Sequence, residues 1–291
     1  MNALEFAFMQ RALVEAILIG GVCGIIGVYV VLNDMSFIGA GISHSAFAGV
    51  ALGLSTGLNP TWTAMAFSIL VALGIGYVGE RTGLTRDTTV GIFFAGTMAL
   101  GVLLVGFLHN EYVDVFGYLF GNILAVTNGD IALGAGTAAL ILLTVASLFK
   151  EFLALSFDAE HARVTGIPTR GLTYLLLALV AVTVVVSVKS VGILLVSALL
   201  VIPAAAARQI GKRFGTVLAL SCIFGIGSSV TGLLLAFRLD IPASAAIVLV
   251  SALLFFVSWT YSDLRKRTRR EKEACGAVPQ AFGDRRDVSG R

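Results

Sequence analysis

The chain has 291 residues, 57% of them hydrophobic and only 13% charged, with a mean hydropathy of +0.95. That balance excludes a water-soluble globular protein, and the apolar residues fall in runs of about 18 to 24, the length that crosses a hydrocarbon layer roughly 30 Å thick. The net charge of +3 does not mark a nucleic-acid surface, because nine of the 20 Lys and Arg residues lie between Arg265 and Arg291 as a basic tail.

Nothing alternates with the two-residue period of an outer-membrane barrel, so the spans are read as helices and the fold as an all-α polytopic membrane bundle. Apolar runs predict spans at about 12–32, 36–58, 60–79, 89–108, 130–149, 170–188, 191–208, 214–237 and 243–262. Segment 112–127 is apolar but short and Gly-rich, which suits a re-entrant or interfacial helix. The first run is too long for a cleavable signal and is read as retained. Residues 1–264 form the transmembrane domain, and 265–291 a polar, charge-dense cytoplasmic tail read as disordered. Cys23, Cys222 and Cys275 form no Cys-x-x-Cys pair, which argues against a disulfide framework or thiolate metal site.

With nine spans and the C-terminus inside, the inner loops carry eight basic residues, Arg81, Arg86, Lys150, Arg163, Arg170, Arg208, Lys212 and Arg213, and the outer side three, Arg11, Lys189 and Arg238. This predicts an N-terminus outside and a C-terminus inside. The outer segment after the fourth span holds His109, Glu111, Asp114 and then Asp130 without a basic residue, an anionic mouth that attracts cations.

Gly49, Gly53 and Gly57 repeat every four residues in the second span, with Ser45 one step earlier, so one stripe is small enough for close helix approach. Gly20 with Gly24, and Ser228 with Gly232, repeat the device. Gly74, Gly76 and Gly79 match G-x-G-x-x-G, but inside an apolar span rather than at a strand-to-helix turn, so no nucleotide site is read there. There is no G-x-x-x-x-G-K-[ST] motif, and any ATP dependence must come from a partner. Ser43, His44 and Ser45 do not make a hydrolase, because adjacent helical residues point in different directions and no second base is present. No catalytic residue is assigned.

His44 is the informative residue. Ionisable groups inside a span are expensive and face a pathway or the bundle interior, and a neutral imidazole ligates transition metals. Eight residues into its span puts it about 12 Å along the axis, near the midplane. Asp240, two residues before Pro242, reads either as the cap of the last span or as a cation ligand at an outer gate. Asp34 reads as the cap of the second span.

The stretch 153–170 reads as a loop containing a two-turn helix. Asp158 is its N-cap, Gly166 its C′ residue, and Pro168 prevents continuation. An exposed, capped helix of this kind, at about 157–167, suits a groove in a partner protein.

These residues resemble the permease subunits of bacterial ABC importers for zinc, manganese or iron, a branch related to the vitamin and siderophore permeases. The likeness covers about residues 10–262. It rests on Met35 to Gly39 followed by Ser43, His44 and Ser45; on Ser156, Phe157, Asp158, Glu160, Ala162, Arg163, Gly166, Ile167 and Pro168; on the run from Val191 to Ala205; and on Leu239 to Pro242. The resemblance implies a homodimer in the bacterial cytoplasmic membrane, two ATP-binding cassette ATPase subunits beneath it, and an extracellular or periplasmic metal-binding protein above it. It implies that Phe157, Asp158, Glu160, His161, Ala162, Arg163, Gly166 and Ile167 belong to the coupling helix, and that His44 and Asp240 lie on the cation route. It implies no permanently bound cofactor and no nucleic-acid partner: the metal is cargo and ATP is used by the partner. The family pattern usually has an aspartate four residues before the histidine, and this chain has Ala40 there; His161 replaces a commonly aromatic residue. A permease for a chelate or cobalamin-like cargo, and a secondary transporter working without ATP, are the alternatives.

Overall fold

The computed structural model describes residues 6–107, 123 and 126–276, with side chains to residue 265. Among the described residues nine helices are long and apolar enough to cross a membrane. In chain order these are α1 (Ala7–Leu32), α2 (Ile38–Thr56), α3 (Pro60–Thr82), α4 (Arg86–Phe107), α5 (Asn128–Ser147), α8 (Thr169–Val191), α9 (Ile193–Ile210), α10 (Phe214–Leu239) and α11 (Ala243–Gly276), whose apolar part ends at Arg265. Two short helices, α6 (Phe149–Phe157) and α7 (Ala159–Val164), lie between α5 and α8. The His109, Glu111 and Asp114 cluster and most of segment 112–127 fall outside the described residues.

Helices α1, α2 and α8 form the interior, with about two thirds or more of their apolar stretch buried, whereas α3, α4, α5 and α11 keep most of theirs at the periphery. Two groups result. α1, α9, α10 and α11 pack together, as do α2, α3, α4 and α8, while contacts of α9 with α2 and α8 join them.

Lipid offers no hydrophobic force to press one apolar helix on another, so association depends on close packing and hydrogen bonds. α1 supplies both. A Cβ on Gly24 would lie 2.6 Å from the Ser221 carbonyl oxygen, and one on Gly20 would lie 2.6 Å from that of Gly225. Ser221 Oγ donates to the Gly24 carbonyl at 2.6 Å. On another face, Gly27 leaves no room for a Cβ beside the Leu200 carbonyl of α9. The other glycine pairs have comparable settings. Gly49 faces Ala64 Cα, Gly53 faces Pro60 and Thr63, and Gly232 faces Ile247. Gly57 does not belong to the stripe. It closes α2 in the left-handed region at φ 70°, with open space where a Cβ would stand, because the helix ends there. Of the Gly-x-Gly-x-x-Gly residues, Gly74 lies against the Phe93 ring of α4 and Gly76 against Tyr174 and Leu177 of α8, so α3 is approached on two sides.

Helix ends also depart from expectation. Among the described residues Asp34 and Asp240 are the non-glycine residues with positive φ, 54° and 53°. Each closes the helix before it rather than capping the helix after it. Met35 N–H donates to the Val30 carbonyl, and Ile241 N–H to that of Ala236, the overlapping bonds of a left-handed helix stop. α8 and α9 are joined by Gly192 alone, at φ 85° and ψ 166°, a conformation that a residue with a side chain rarely adopts.

Glu15 is fully buried in α1. Ser190 Oγ of α8 donates to its Oε1 at 2.9 Å, and Gly134 of α5 leaves space beside the carboxylate. Next to it Lys189 pairs with Asp130 at 2.7 Å, and Asp130 closes a capping box with Thr127. Asp130 is therefore neutralised locally and is not part of an open anionic mouth; Lys189, counted among the outer basic residues, is distant from it in sequence.

Overpacking at the α1–α10 contact is expected to destabilise the protein. Gly24→Ala should cost roughly 1–3 kcal/mol, whereas Gly91→Ala, with nothing within 4 Å of its Cβ position, should be neutral or mildly stabilising. Thermal unfolding in detergent, compared between the two variants, checks this.

Candidate metal path and partner surface

His44 is the seventh residue of α2, which starts at Ile38 rather than 36, so it stands about 9 Å along the axis, closer to the α1–α2 turn than expected. Its ring is half-buried. Nδ1–H donates to the Ala40 carbonyl at 2.9 Å, since a carbonyl oxygen only accepts. Nε2 is thereby left as the lone-pair nitrogen, the arrangement in which a backbone carbonyl behind the ring orients a metal-ligating imidazole. The Phe94 ring of α4 meets the imidazole edge-on with centroids 4.5 Å apart. Ser43 and Ser45 are buried on other faces; Ser45 Oγ donates to the Ile42 carbonyl and reaches Ser68 Oγ of α3 at 3.4 Å.

Asp240 is exposed at the far end of α10. α10 starts at Phe214, whose ring meets those of Phe149 and Phe157, and its 26 residues carry the chain about 39 Å away from that end. His44 and Asp240 thus occupy different depths, on helices with different principal neighbours. Among the described residues no group of three or more His, Cys, Asp or Glu side chains gathers.

The surface near residues 157–167 is built locally. Asp158 Oδ1 accepts from His161 N–H at 2.9 Å, Gly166 is left-handed at φ 87°, and Ile167 N–H donates to the Ala162 carbonyl at 3.0 Å. Ala162 is buried, while Phe157 and Val164 are 71% and 84% exposed; Glu160, His161, Arg163 and Gly166 are exposed as well. The preceding stretch, read as loop from residue 153, is instead helical through Phe157. α6 is anchored by buried Phe152, whose ring meets that of Tyr29, which the spacing within 149–157 alone did not reveal.

A polar chain ties this surface to the base of α2. Asn33, at the C-terminus of α1, uses one Nδ2 hydrogen on the Tyr29 carbonyl at 2.9 Å and the other on Ser156 Oγ at 3.2 Å. Arg86, opening α4, donates to the Asn33 carbonyl at 3.1 Å. Ser156 immediately precedes Phe157, and Asn33 immediately precedes the turn into α2. Asn33 carries no sequence signal beyond its place at a helix end; the partner 123 residues away makes it notable.

The family model described as "ABC 3 transport family" matches residues 5–262. A manganese import system permease protein of Streptococcus gordonii is 37% identical over 267 residues, covering 92% of this chain and 96% of that protein. The solved PsaBC of Streptococcus pneumoniae, in complex with a Fab, superposes with a TM-score of 0.79 at 36% identity, covering 90% of this chain and 96% of that one. An inward-facing transporter described as of metal-chelate ABC type matches in fold, with a TM-score of 0.69 at 20% identity and 86% and 85% coverage. With the spans, their order and the match over nearly its whole apolar length in agreement, this chain belongs to the ABC 3 transport family.

Proposed function

We propose that the chain is the membrane-spanning permease subunit of an ATP-driven importer that moves divalent transition-metal ions, manganese, zinc or iron, into the cell. It works as a homodimer in the bacterial cytoplasmic membrane, with its N-terminus outside and its C-terminus inside. Two ATPase subunits bind beneath it, and an extracellular or periplasmic metal-binding protein delivers the ion. The chain itself catalyses no reaction; hydrolysis of ATP belongs to the partner.

The observation that carries this reading is the continuity between α7 and α2. The exposed Phe157 and Val164 flank a short helix whose ends are fixed by Asp158 and Gly166, which gives a partner a rigid feature to grip. A displacement of that helix reaches Ser156, then Asn33, then the turn that carries His44. A ligand coupled in this way can present Nε2 to one side of the membrane in one state and withdraw it in the other. Transport requires binding weak enough to release, and one imidazole per subunit, doubled by the dimer axis, meets that condition. Asp240 at the outer end of α10 and the acidic His109, Glu111 and Asp114 segment act as a cation-collecting rim rather than as co-ligands of His44.

Radiometal uptake in cells carrying the chain with its neighbouring ATPase and binding protein tests the reading. Loss of supporting groups around a metal ligand already lowers affinity 10–100-fold, so His44→Ala should lower uptake by at least about tenfold at normal membrane levels. Asp240→Asn, which keeps the left-handed turn, should lower it by less than about threefold, as expected of a rim charge. Uptake unchanged in His44→Ala would remove His44 from the path.

Asn33→Ala tests the link to the ATPase. Two neutral hydrogen bonds at about 1 kcal/mol each are lost, so uptake should fall roughly thirtyfold while the assembled complex continues to hydrolyse ATP. Parallel loss of both activities would indicate a folding role instead.

A further inference from the structure

The helices around His44 contain an unexpected gap in chemistry. α2 has no Asp or Glu, and neither do α8 and α9, which pack on it. α3 and α4, its other neighbours, have one each, and both are at the inner end. Glu80 is engaged by Tyr174 Oη at 3.3 Å and by Arg170 at 3.8 Å. Asp87 is the second residue of α4, seven before Phe94, which meets the His44 ring, and so about 10 Å lower along the helix. One turn below His44, on its own face, stands Ala40, which offers a carbonyl already used by Nδ1–H. The sulfur of Cys23 is on α1, and that of Cys222 on α10, outside the main packing of α2.

We infer that the metal step at His44 is nitrogen-based, with no carboxylate among the described residues beside it, and that it favours an imidazole-seeking ion, zinc in the first place, over manganese. The inference rests on the importer reading above and deepens it. Manganese(II) is a hard ion that takes carboxylate, carbonyl and water oxygens, whereas zinc accepts imidazole readily in tetrahedral or lower coordination. Among the described residues, two copies of this chain facing each other across a two-fold axis would bring two Nε2 atoms and no anionic oxygen to the ion. Water would have to supply the remaining ligands, an arrangement that leaves manganese with little beyond its own hydration shell. Phe94 walls one edge of the ring with hydrocarbon and adds no donor.

The test compares labelled zinc and manganese uptake by the complete transporter, wild type against Ala40→Asp, with the same ATPase and binding protein in every case. A common binding protein means that a change in the zinc-to-manganese ratio reports the permease alone. We expect the wild type to take up zinc at least about tenfold faster than manganese, and Ala40→Asp, which places a carboxylate one turn from the imidazole, to shift the ratio toward manganese by about tenfold. Ala40→Asn, an uncharged oxygen donor, serves if the aspartate variant fails to accumulate, and should shift the ratio in the same direction by less. Manganese carried as fast as zinc by the wild type, or a ratio unmoved by an accumulated Ala40 variant, overturns the selectivity inference and leaves the importer reading standing. Neither ion carried by an assembled wild-type complex also overturns the selectivity inference, and the importer reading itself falls if labelled iron is not carried either.

Discussion

The close seating of α1 against α10 and α9 is the constraint on which the rest of the molecule depends. In hydrocarbon an apolar helix gains nothing by exchanging lipid for another apolar helix, so position must come from backbone approach and from hydrogen bonds that water does not contest. Gly20, Gly24 and Gly27 permit that approach on two faces, and the Ser221 hydroxyl on the Gly24 carbonyl adds a directional bond. Glu15 extends the same post toward α5 and α8 through Ser190. A buried carboxylate is costly in such a place, and its contact with Ser190, together with the space left by Gly134, shows that the neighbouring helices are shaped to accept it.

A fixed α1 has a consequence at its C-terminal end. Asn33 is held by α1, bonded to Ser156 ahead of the exposed helix α7, and joined through its carbonyl to Arg86 at the start of α4. α2 then leaves from the left-handed turn at Asp34 with His44 less than two turns along it. The imidazole proposed to ligate cargo is therefore mounted on the helix that follows the turn tied, through Asn33 and Ser156, to the surface proposed to feel the ATPase. Its Phe94 contact comes from α4, which Arg86 ties to the same turn.

Much of this was legible in the residues. Hydropathy placed the nine spans within a few residues of the helices, because burial in hydrocarbon is a property of composition over about 20 consecutive positions. The ends of α7 were legible for a similar reason: an Asp that accepts from the N–H three residues on, and a Gly that tolerates positive φ, act over one helical turn. The failures are also instructive. Asp34 and Asp240 looked like caps for the helices that follow them, yet both terminate the helices before them, since aspartate suits either role and only the path of the chain selects one. Gly57 kept the four-residue spacing of a packing stripe and lies beyond the packed surface.

What the sequence by itself determined is the set of local facts: how many helices are apolar enough to span, where a short capped helix interrupts them, and that an imidazole sits within a span. These depend on interactions within one or two turns, which neighbouring residues fully specify. The tertiary structure decided which faces meet. It brought Lys189 to Asp130, Ser190 to Glu15 and Ser156 to Asn33, and it set the edge of the Phe94 ring against His44. Such pairings span tens to more than a hundred residues, and in a bilayer they depend on which helix backs approach most closely, a property of the assembled bundle rather than of any segment within it.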